Sequence, residues 1–304
     1  MSGCTPAGRV VALVGPTATG KSVIALAVAE RLGAQIVAVD AFTVYRGMDV
    51  GTAKPSIPAR GRVPHHMVDV LDPEDDCTVS WFQQHARRAV EAVTDAGAVA
   101  LLVGGSGLYF RAVVDALEFP PTDAVVRRGV QERVAREPAR AYADLVAADP
   151  VAAARIDPGN VRRLVRALEV VELTGRRFSE WRRAWDSYRS IYPGLRVVGV
   201  DVPRTQLVAR IDARVDAMRH GGLVEECRVL QRRVLSTTAR QAIGYAEVLD
   251  HLDGACTLEE ALERTRRRTR RFAARQRRWF AADPRVGWHL PADVPEVLIA
   301  ACSS

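Results

Sequence analysis

The stretch Arg9-Val-Val-Ala-Leu-Val-Gly-Pro-Thr-Ala-Thr-Gly-Lys-Ser22, running on into Val23-Ile-Ala-Leu-Ala-Val-Ala-Glu-Arg-Leu32, decides the fold. The consecutive apolar residues Val10 to Val14 predict a strand buried on both faces, as in a parallel sheet. Gly15, Pro16, Thr17, Ala18, Thr19, Gly20, Lys21 and Ser22 then satisfy Gly-x-x-x-x-Gly-Lys-Ser/Thr at every fixed position, and an amphipathic helical pattern follows. Strand, loop and helix in that order form a phosphate-binding loop. Its glycines let successive N–H groups turn into one concavity, where the dipole of the following helix adds positive potential. Lys21 is placed to reach the terminal phosphates, and the Ser22 hydroxyl to ligate Mg²⁺. The loop leaves open which diphosphate it holds.

Composition narrows the class. The chain has 304 residues, 48% hydrophobic and 26% charged, which fits a globular protein with a sizeable core. Of its 43 basic residues only Lys21 and Lys54 are lysines. A chain this biased towards arginine keeps lysine where a compact ammonium matters, so Lys54, in Gly51-Thr-Ala-Lys-Pro55, is a second marked position, alongside the plain alternative of a solvated loop lysine. The net charge of +7 points to a polyanionic partner. The five cysteines, Cys4, Cys77, Cys227, Cys256 and Cys302, are scattered without metal-ligand spacing, so reduced thiols in the cytoplasm are expected. Met1 to Gly8 lacks the apolar stretch of a signal peptide, and no run is long enough to span a membrane.

Along the chain, Gln35 to Val39 predicts a second buried strand ending on Asp40, whose carboxylate then lies at the sheet edge where open α/β folds place their chemistry. Asp40 is the first catalytic candidate. The Gly- and Pro-rich segment Ala41 to Asp76 reads as active-site loops and short strands, with Pro64-His-His66 structural or substrate-adjacent rather than a zinc site. A helix is expected over Thr78 to Ala96 and a buried strand over Val99 to Val103, followed by the glycine-rich turn Gly104-Gly-Ser-Gly-Leu-Tyr109. From about Val114 to Pro193 the pattern changes to short Ala- and Arg-rich helices, a helical insertion dividing a core of 1–113 and 195–304. Within it Asn160 caps a helix from Val161 to Thr174 on which Arg162, Arg163 and Arg166 share roughly one face. Leu195 to Val202 returns to strand, and the next helix carries Arg210 and Arg214 one turn apart. The last long helix opens on the capping box Thr257-Leu-Glu-Glu260 and holds nine arginines between Arg264 and Arg278. Without an acidic residue among them they repel one another, which points to a phosphate backbone as counterpart. Residues after about Pro291 read as a loose tail.

Taken together, Gly15 to Ser22, Asp40 to Tyr45, Gly47 to Pro55, Pro64 to His66, Gly104 to Tyr109, Arg162 to Glu169, Arg240-Gln-Ala-Ile-Gly-Tyr245 and Arg275-Gln-Arg-Arg-Trp-Phe280 resemble the tRNA dimethylallyltransferases, in family order and across nearly the whole chain. The resemblance implies a P-loop NTPase-like α/β core with a parallel sheet, a mostly α-helical insertion that binds tRNA, and a C-terminal arginine-rich helix. It implies dimethylallyl diphosphate held on Thr17 to Ser22 with Mg²⁺ near Ser22, and Lys21 and Arg214 stabilising the departing diphosphate. Asp40, by family position, takes a proton from the exocyclic amine of the adenosine 3′-adjacent to the anticodon, and Ser106 stands near that nucleoside. The anticodon stem-loop would be held by Asp40, Ala41, Phe42, Thr43, Ser106, Arg127, Arg162, Arg163, Leu164, Val165, Arg166, Arg240, Gln241, Ala242, Ile243, Gly244 and Tyr245, with the enzyme acting as a monomer. The family's usual Asp-Ser-x-Gln is Asp40-Ala-Phe-Thr43 here, which removes a hydroxyl and an amide from the nucleotide's surroundings. Two other readings of the loop are a small-molecule kinase with an arginine-bearing lid and a transferase acting on free AMP. A non-catalytic NTPase fits less well, because the strand Val99 to Val103 ends on Gly104 rather than on an acidic residue.

Overall fold

The computed structural model describes residues 9–303, apart from the side chains of residues 182–184, 186 and 303; residue 304 and the segment 1–8, with Cys4, lie outside the described residues. Two compact units emerge, Met1–Val114 with Ser190–Ser304, and Asp115–Arg189. The first half of the larger unit runs β1 (Val10–Val14), α1 (Lys21–Leu32), β2 (Gln35–Val39), α2 (Ile57–Arg62), β3 (His65–His66), α3 (Val79–Asp95), β4 (Ala100–Gly104) and α4 (Gly107–Val114). The smaller unit holds α5 (Ala124–Arg136), α6 (Pro138–Ala148), α7 (Pro150–Ala153), α8 (Val161–Thr174) and a 3₁₀ segment, Phe178–Asp186. The larger unit then resumes with β5 (Arg196–Val200), α9 (Arg204–His220), α10 (Leu223–Gln231), α11 (Thr237–Arg240), α12 (Tyr245–Leu252), α13 (Leu258–Ala281), β6 (Val286–His289) and α14 (Val294–Ser303).

The sheet has six strands in the order β3-β2-β4-β1-β5-β6, every pairing parallel. Parallel pairing requires helical crossovers, which is why strand and helix alternate along the chain. Register fixes the site: Val14 pairs with Gly104, and Gly104 with Val39. Gly15, Asp40 and Gly105, each one residue further on, therefore emerge together at one edge, beside the point where the chain's order across the sheet reverses.

Side chains of β1 alternate between two cores. Val10, Ala12 and Val14 pack with Phe82, Ala86 and Val90 of α3, while Val11 and Leu13 pack with Ala25, Val28 and Ala29 of α1. That second face also buries Val294, Leu298 and Cys302 of α14. The loose tail expected after about Pro291 is thus a helix, α14. The apolar residues of α14 stand four apart and cover sheet that α1 alone leaves open. In the smaller unit Val130, Val134, Leu145, Leu164 and Leu168 form a separate core.

Candidate active site

The loop between β1 and α1 is held from three sides. Gly20 closes it at φ 93°, a left-handed conformation that glycine adopts without penalty. Thr19, 1% exposed, donates from Oγ1 to the Pro16 carbonyl at 2.9 Å, and Lys21 Nζ donates to the same oxygen at 2.5 Å. From α9, Arg214 donates to Thr17 Oγ1 at 3.1 Å and Arg210 reaches the Thr19 carbonyl at 3.5 Å. From α13, Gln276 Oε1 accepts the Thr17 N–H at 2.9 Å. The Gln276 amide also fills the space beside Gly105, where a Cβ would lie 2.4 Å from Nε2. Gln276 is 5% exposed and pins the loop to the turn after β4.

These cations perturb one another. Burial, helped by the Arg214 charge, pushes the Lys21 ammonium down to about 7, with the Asp40 carboxylate pulling the other way. Arg214 is lowered by burial against the same carboxylate's pull. Asp40 Oδ1 accepts the Phe42 N–H at 2.8 Å, which fixes the carboxylate beyond the end of β2. Two cations facing one carboxylate, with loop N–H groups at a helix N-terminus, make a site for a polyanion beside a proton acceptor.

A cavity of about 670 Å³ opens over this cluster, lined among others by Thr17, Ala18, Gly20, Lys21, Ser22, Asp40, Phe42, Thr43, Arg210 and Arg214. Ile36, Ala38, Val103 and Phe272 give it apolar wall, and Thr265, Thr269 and Gln276 of α13 also line it. The α13 contribution was missed in the sequence, although a signal was present. Residues 265, 269, 272 and 276 interrupt the arginine run at helical spacing, marking a face that cannot be solvated.

Several expected positions have partners within the chain. Leu164 and Val165 are 0% and 4% exposed in the core of the smaller unit, because their helix must bury a stripe there. Arg127 and Arg166 converge on the buried Glu169 carboxylate at 2.9 Å each, and Arg166 also donates to the Pro120 and Pro121 carbonyls. Arg162 and Arg163 are exposed and make no ion pair among the described residues. Arg240 pairs with Asp253 at 3.2 Å, and the exposed Gln241 lends its carbonyl to Arg268. Ala242 and Ile243 line the cavity, whereas Gly244 is buried. Tyr245 is wholly buried, its ring against Gly51 and its hydroxyl donating to Glu226 at 2.5 Å while accepting the Gly51 N–H at 3.1 Å. It supports the cavity-lining loop Gly51 to Ala53 from beneath. Ala41 is 8% exposed and lies outside the lining; Ser106 is outside it too, its carbonyl accepting the Phe110 N–H at the start of α4, and Gly104 and Gly105 are the residues of that turn that line the cavity.

Lys54 is neither a solvated lysine nor part of the cavity. Its side chain is 1% exposed and is clasped by Asp49 at 2.7 Å, Asp69 at 2.6 Å and the Tyr45 carbonyl, closing the 45–69 loop on itself. His66 bonds Gln35 at 2.7 Å, and His65 lines the cavity with Nδ1 on the Val63 carbonyl at 2.7 Å; burial lowers both imidazoles. Among the described residues no group of three or more His, Cys, Asp or Glu is placed to hold a metal ion. Cys77, Cys227, Cys256 and Cys302 are free thiols. The arginine run also has acidic partners that the sequence does not place beside it. Asp216 and Asp212 of α9 meet Arg266 and Arg270 at 2.5 and 2.6 Å, Glu247 of α12 meets Arg268, and Asp201 meets Arg277 at 3.3 Å.

Sheet order, loop and cation cluster define a P-loop α/β protein whose phosphate site faces a carboxylate across one cavity. A model described as IPP transferase matches residues 43–283, and one described as Isopentenyl transferase matches 8–59. The chain belongs to the IPP transferase family. It is 52% identical over 291 residues to a tRNA dimethylallyltransferase of Kineococcus radiotolerans, covering 93% of this chain and 90% of the relative. It is 48% identical to one of Streptomyces coelicolor, covering 95% and 92%. Among solved structures, the full-length tRNA isopentenylpyrophosphate transferase of Bacillus halodurans is similar with a TM-score of 0.71 at 35% identity, covering 97% of each chain. A eukaryotic dimethylallyltransferase acting on tRNA shares the fold with a TM-score of 0.79 at 23% identity, covering 96% of this chain and 77% of that one.

Proposed function

We propose that this protein is a tRNA dimethylallyltransferase, moving the dimethylallyl group of dimethylallyl diphosphate to the exocyclic N6 amine of the adenosine 3′-adjacent to the anticodon. The observation that carries the reading is the opposition, in one cavity, of Lys21 at the end of the phosphate loop and Arg214 of α9 to the carboxylate of Asp40. Attack of the amine nitrogen on the allylic carbon forms a C–N bond and breaks the C–O bond, and the electron pair leaves on diphosphate. Negative charge grows there, where Lys21, Arg214 and the loop N–H groups stabilise it. The amine's proton passes to Asp40. An aromatic amine is a poor nucleophile, so positioning and base assistance both contribute.

Apolar lining by Ile36, Ala38, Phe42 and Val103 suits a hydrocarbon tail held next to a diphosphate. Mg²⁺ fits the site as a diphosphate-bound ion. Ser22 is exposed in the lining to supply a hydroxyl, and with no cage of acidic side chains among the described residues the remaining ligands would be phosphate oxygens and water. Such an ion neutralises diphosphate charge. The target base must leave its stack to reach Asp40, at a cost of a few kcal/mol that contacts to the surrounding loop offset. Arg162 and Arg163, exposed and unpaired among the described residues, are suited to phosphate contacts. Among the described residues no helix is long and apolar enough to cross a membrane, in keeping with a cytoplasmic place of action.

Incubation with undermodified tRNA and dimethylallyl diphosphate, without ATP, followed by digestion to nucleosides, is expected to yield prenylated adenosine. Turnover that required ATP would instead establish a kinase. Prenylation of free AMP at the rate seen with tRNA would overturn the assignment of the acceptor.

A further inference from the structure

The cavity-lining loop that carries Gly51 takes its shape from a carboxylate on another element. Thr52 Oγ1 donates to the Met48 carbonyl at 2.6 Å, the Ala53 and Lys54 N–H groups donate to the Val50 and Asp49 carbonyls at 3.1 Å each, and Ala53 takes φ 50°, a left-handed conformation uncommon for a residue with a Cβ. This winding leaves the successive N–H groups of Asp49, Val50 and Gly51 with no backbone acceptor among the described residues. A concavity of consecutive donors suits an anion. Glu226 of α10 supplies it: Oε2 accepts from Asp49 and Val50 at 2.8 and 3.0 Å, and Oε1 accepts the Tyr245 hydroxyl at 2.5 Å. That hydroxyl in turn accepts the Gly51 N–H at 3.1 Å, and a Cβ at Gly51 would lie 2.4 Å from the Tyr245 ring, so glycine alone fits there. Both oxygens of Glu226 are thus acceptors. Glu226 itself lies outside the cavity lining, which includes Gly51, Thr52 and Ala53.

The stretch that Glu226 holds stands away from the phosphate site. Arg214 of α9 bonds Thr17, and Gly221, seven residues on and about 10 Å along the axis, faces Val50, whose Cγ1 would be 3.6 Å from a Cβ on the glycine. Met218 lies between them and lines the cavity. An amine that displaces diphosphate approaches the allylic carbon from the side opposite the leaving group, so the acceptor takes the end remote from the loop. We propose that Glu226 is a positioning residue for the acceptor nucleoside, setting through the N–H groups of Asp49 to Gly51 the wall against which the reacting base is held. The proposal rests on the reading that the protein prenylates tRNA. The base is one nucleotide of a larger ligand, so misplacing this wall leaves tRNA bound and slows the transfer step.

The test is single-turnover prenyl transfer in a preformed complex of tRNA and dimethylallyl diphosphate. Glu226→Gln is nearly isosteric but turns one acceptor into a donor, so a loop N–H or the Tyr245 hydroxyl loses its acceptor. Tyr245→Phe keeps the ring on Gly51 and removes the hydroxyl, and it decides alone if the first variant does not fold. An unsatisfied buried donor depletes the ready loop by about 5- to 150-fold, and the transfer rate should fall by that factor in each variant. Reaction amplitude, tRNA affinity and donor affinity by titration calorimetry should stay within about threefold. Because both groups act through one loop, the double variant should lose little more than the worse single one. A rate within twofold of wild type in the folded variants overturns the proposal. So does a lower amplitude at the wild-type rate, which marks a merely structural carboxylate, or donor affinity falling in step with the rate, which places the effect at the phosphate site. Losses that add independently would refute the shared route. All of these outcomes leave the proposed function intact, whereas a wild type that yields no prenylated adenosine sinks that reading and this one with it.

Discussion

Replacing Gln276 with leucine tests whether the arginine helix sets the shape of the phosphate loop. The Gln276 amide, on a residue 5% exposed, accepts the Thr17 N–H at 2.9 Å, and Thr17 in turn receives the Arg214 guanidinium on its hydroxyl. Leucine has nearly the same volume, so little cavity forms beside Gly105. What is lost is the acceptor. An unpaired, part-buried N–H costs about 1–3 kcal/mol, which the loop relieves by moving away from its diphosphate-ready shape. If the ready shape falls in population by that free energy, donor affinity drops about 5- to 150-fold, and the melting temperature falls by a few degrees. Gln276→Glu keeps an acceptor for the Thr17 N–H and should recover stability, yet its charge beside the diphosphate should leave donor binding weak. Titration calorimetry with dimethylallyl diphosphate and thermal unfolding read both quantities. Leucine binding the donor within twofold of wild type at an unchanged melting temperature would refute the reasoning.

Three further perturbations address the site. Because Lys21 is pushed down to about 7 and diphosphate favours its charged form, donor binding must take up a proton above that pH. Affinity should fall by up to about tenfold per pH unit between pH 7 and the ordinary lysine range, and a flat profile from pH 7 to 9 would contradict it. Asp40→Asn should keep tRNA and donor binding while slowing single-turnover transfer by about 10² to 10⁴; a rate within threefold of wild type would remove Asp40 as the base. Lys54→Met leaves Asp49 without a cation and Asp69 with Arg60 only, so unfolding free energy should drop by about 3 kcal/mol, and a loss below about 0.5 kcal/mol by chemical denaturation would show the clasp to be unimportant.

The sequence by itself determined the elements whose signal is local. The β1 run, the Gly-Lys-Ser loop, Asp40 at the end of β2, the Asn160 and Thr257 caps and the long basic helix all follow from neighbours within a few positions, and each stands where that pattern places it. Only the tertiary structure decided which charges are spoken for. Glu169 lies 42 residues from Arg127, and Asp212 lies 58 from Arg270, so no window along the chain separates a paired arginine from a free one. Burial was illegible at Tyr245 for the same reason. Its ring is covered by Gly51, 194 residues away, and a tyrosine in a polar-looking motif carries no local mark of the glycine it will meet. The tail was misread because α14 is short and helical only by virtue of the sheet it covers. Its three apolar contacts gain their free energy against β1, β5 and α1, surfaces that exist only once the strands have paired.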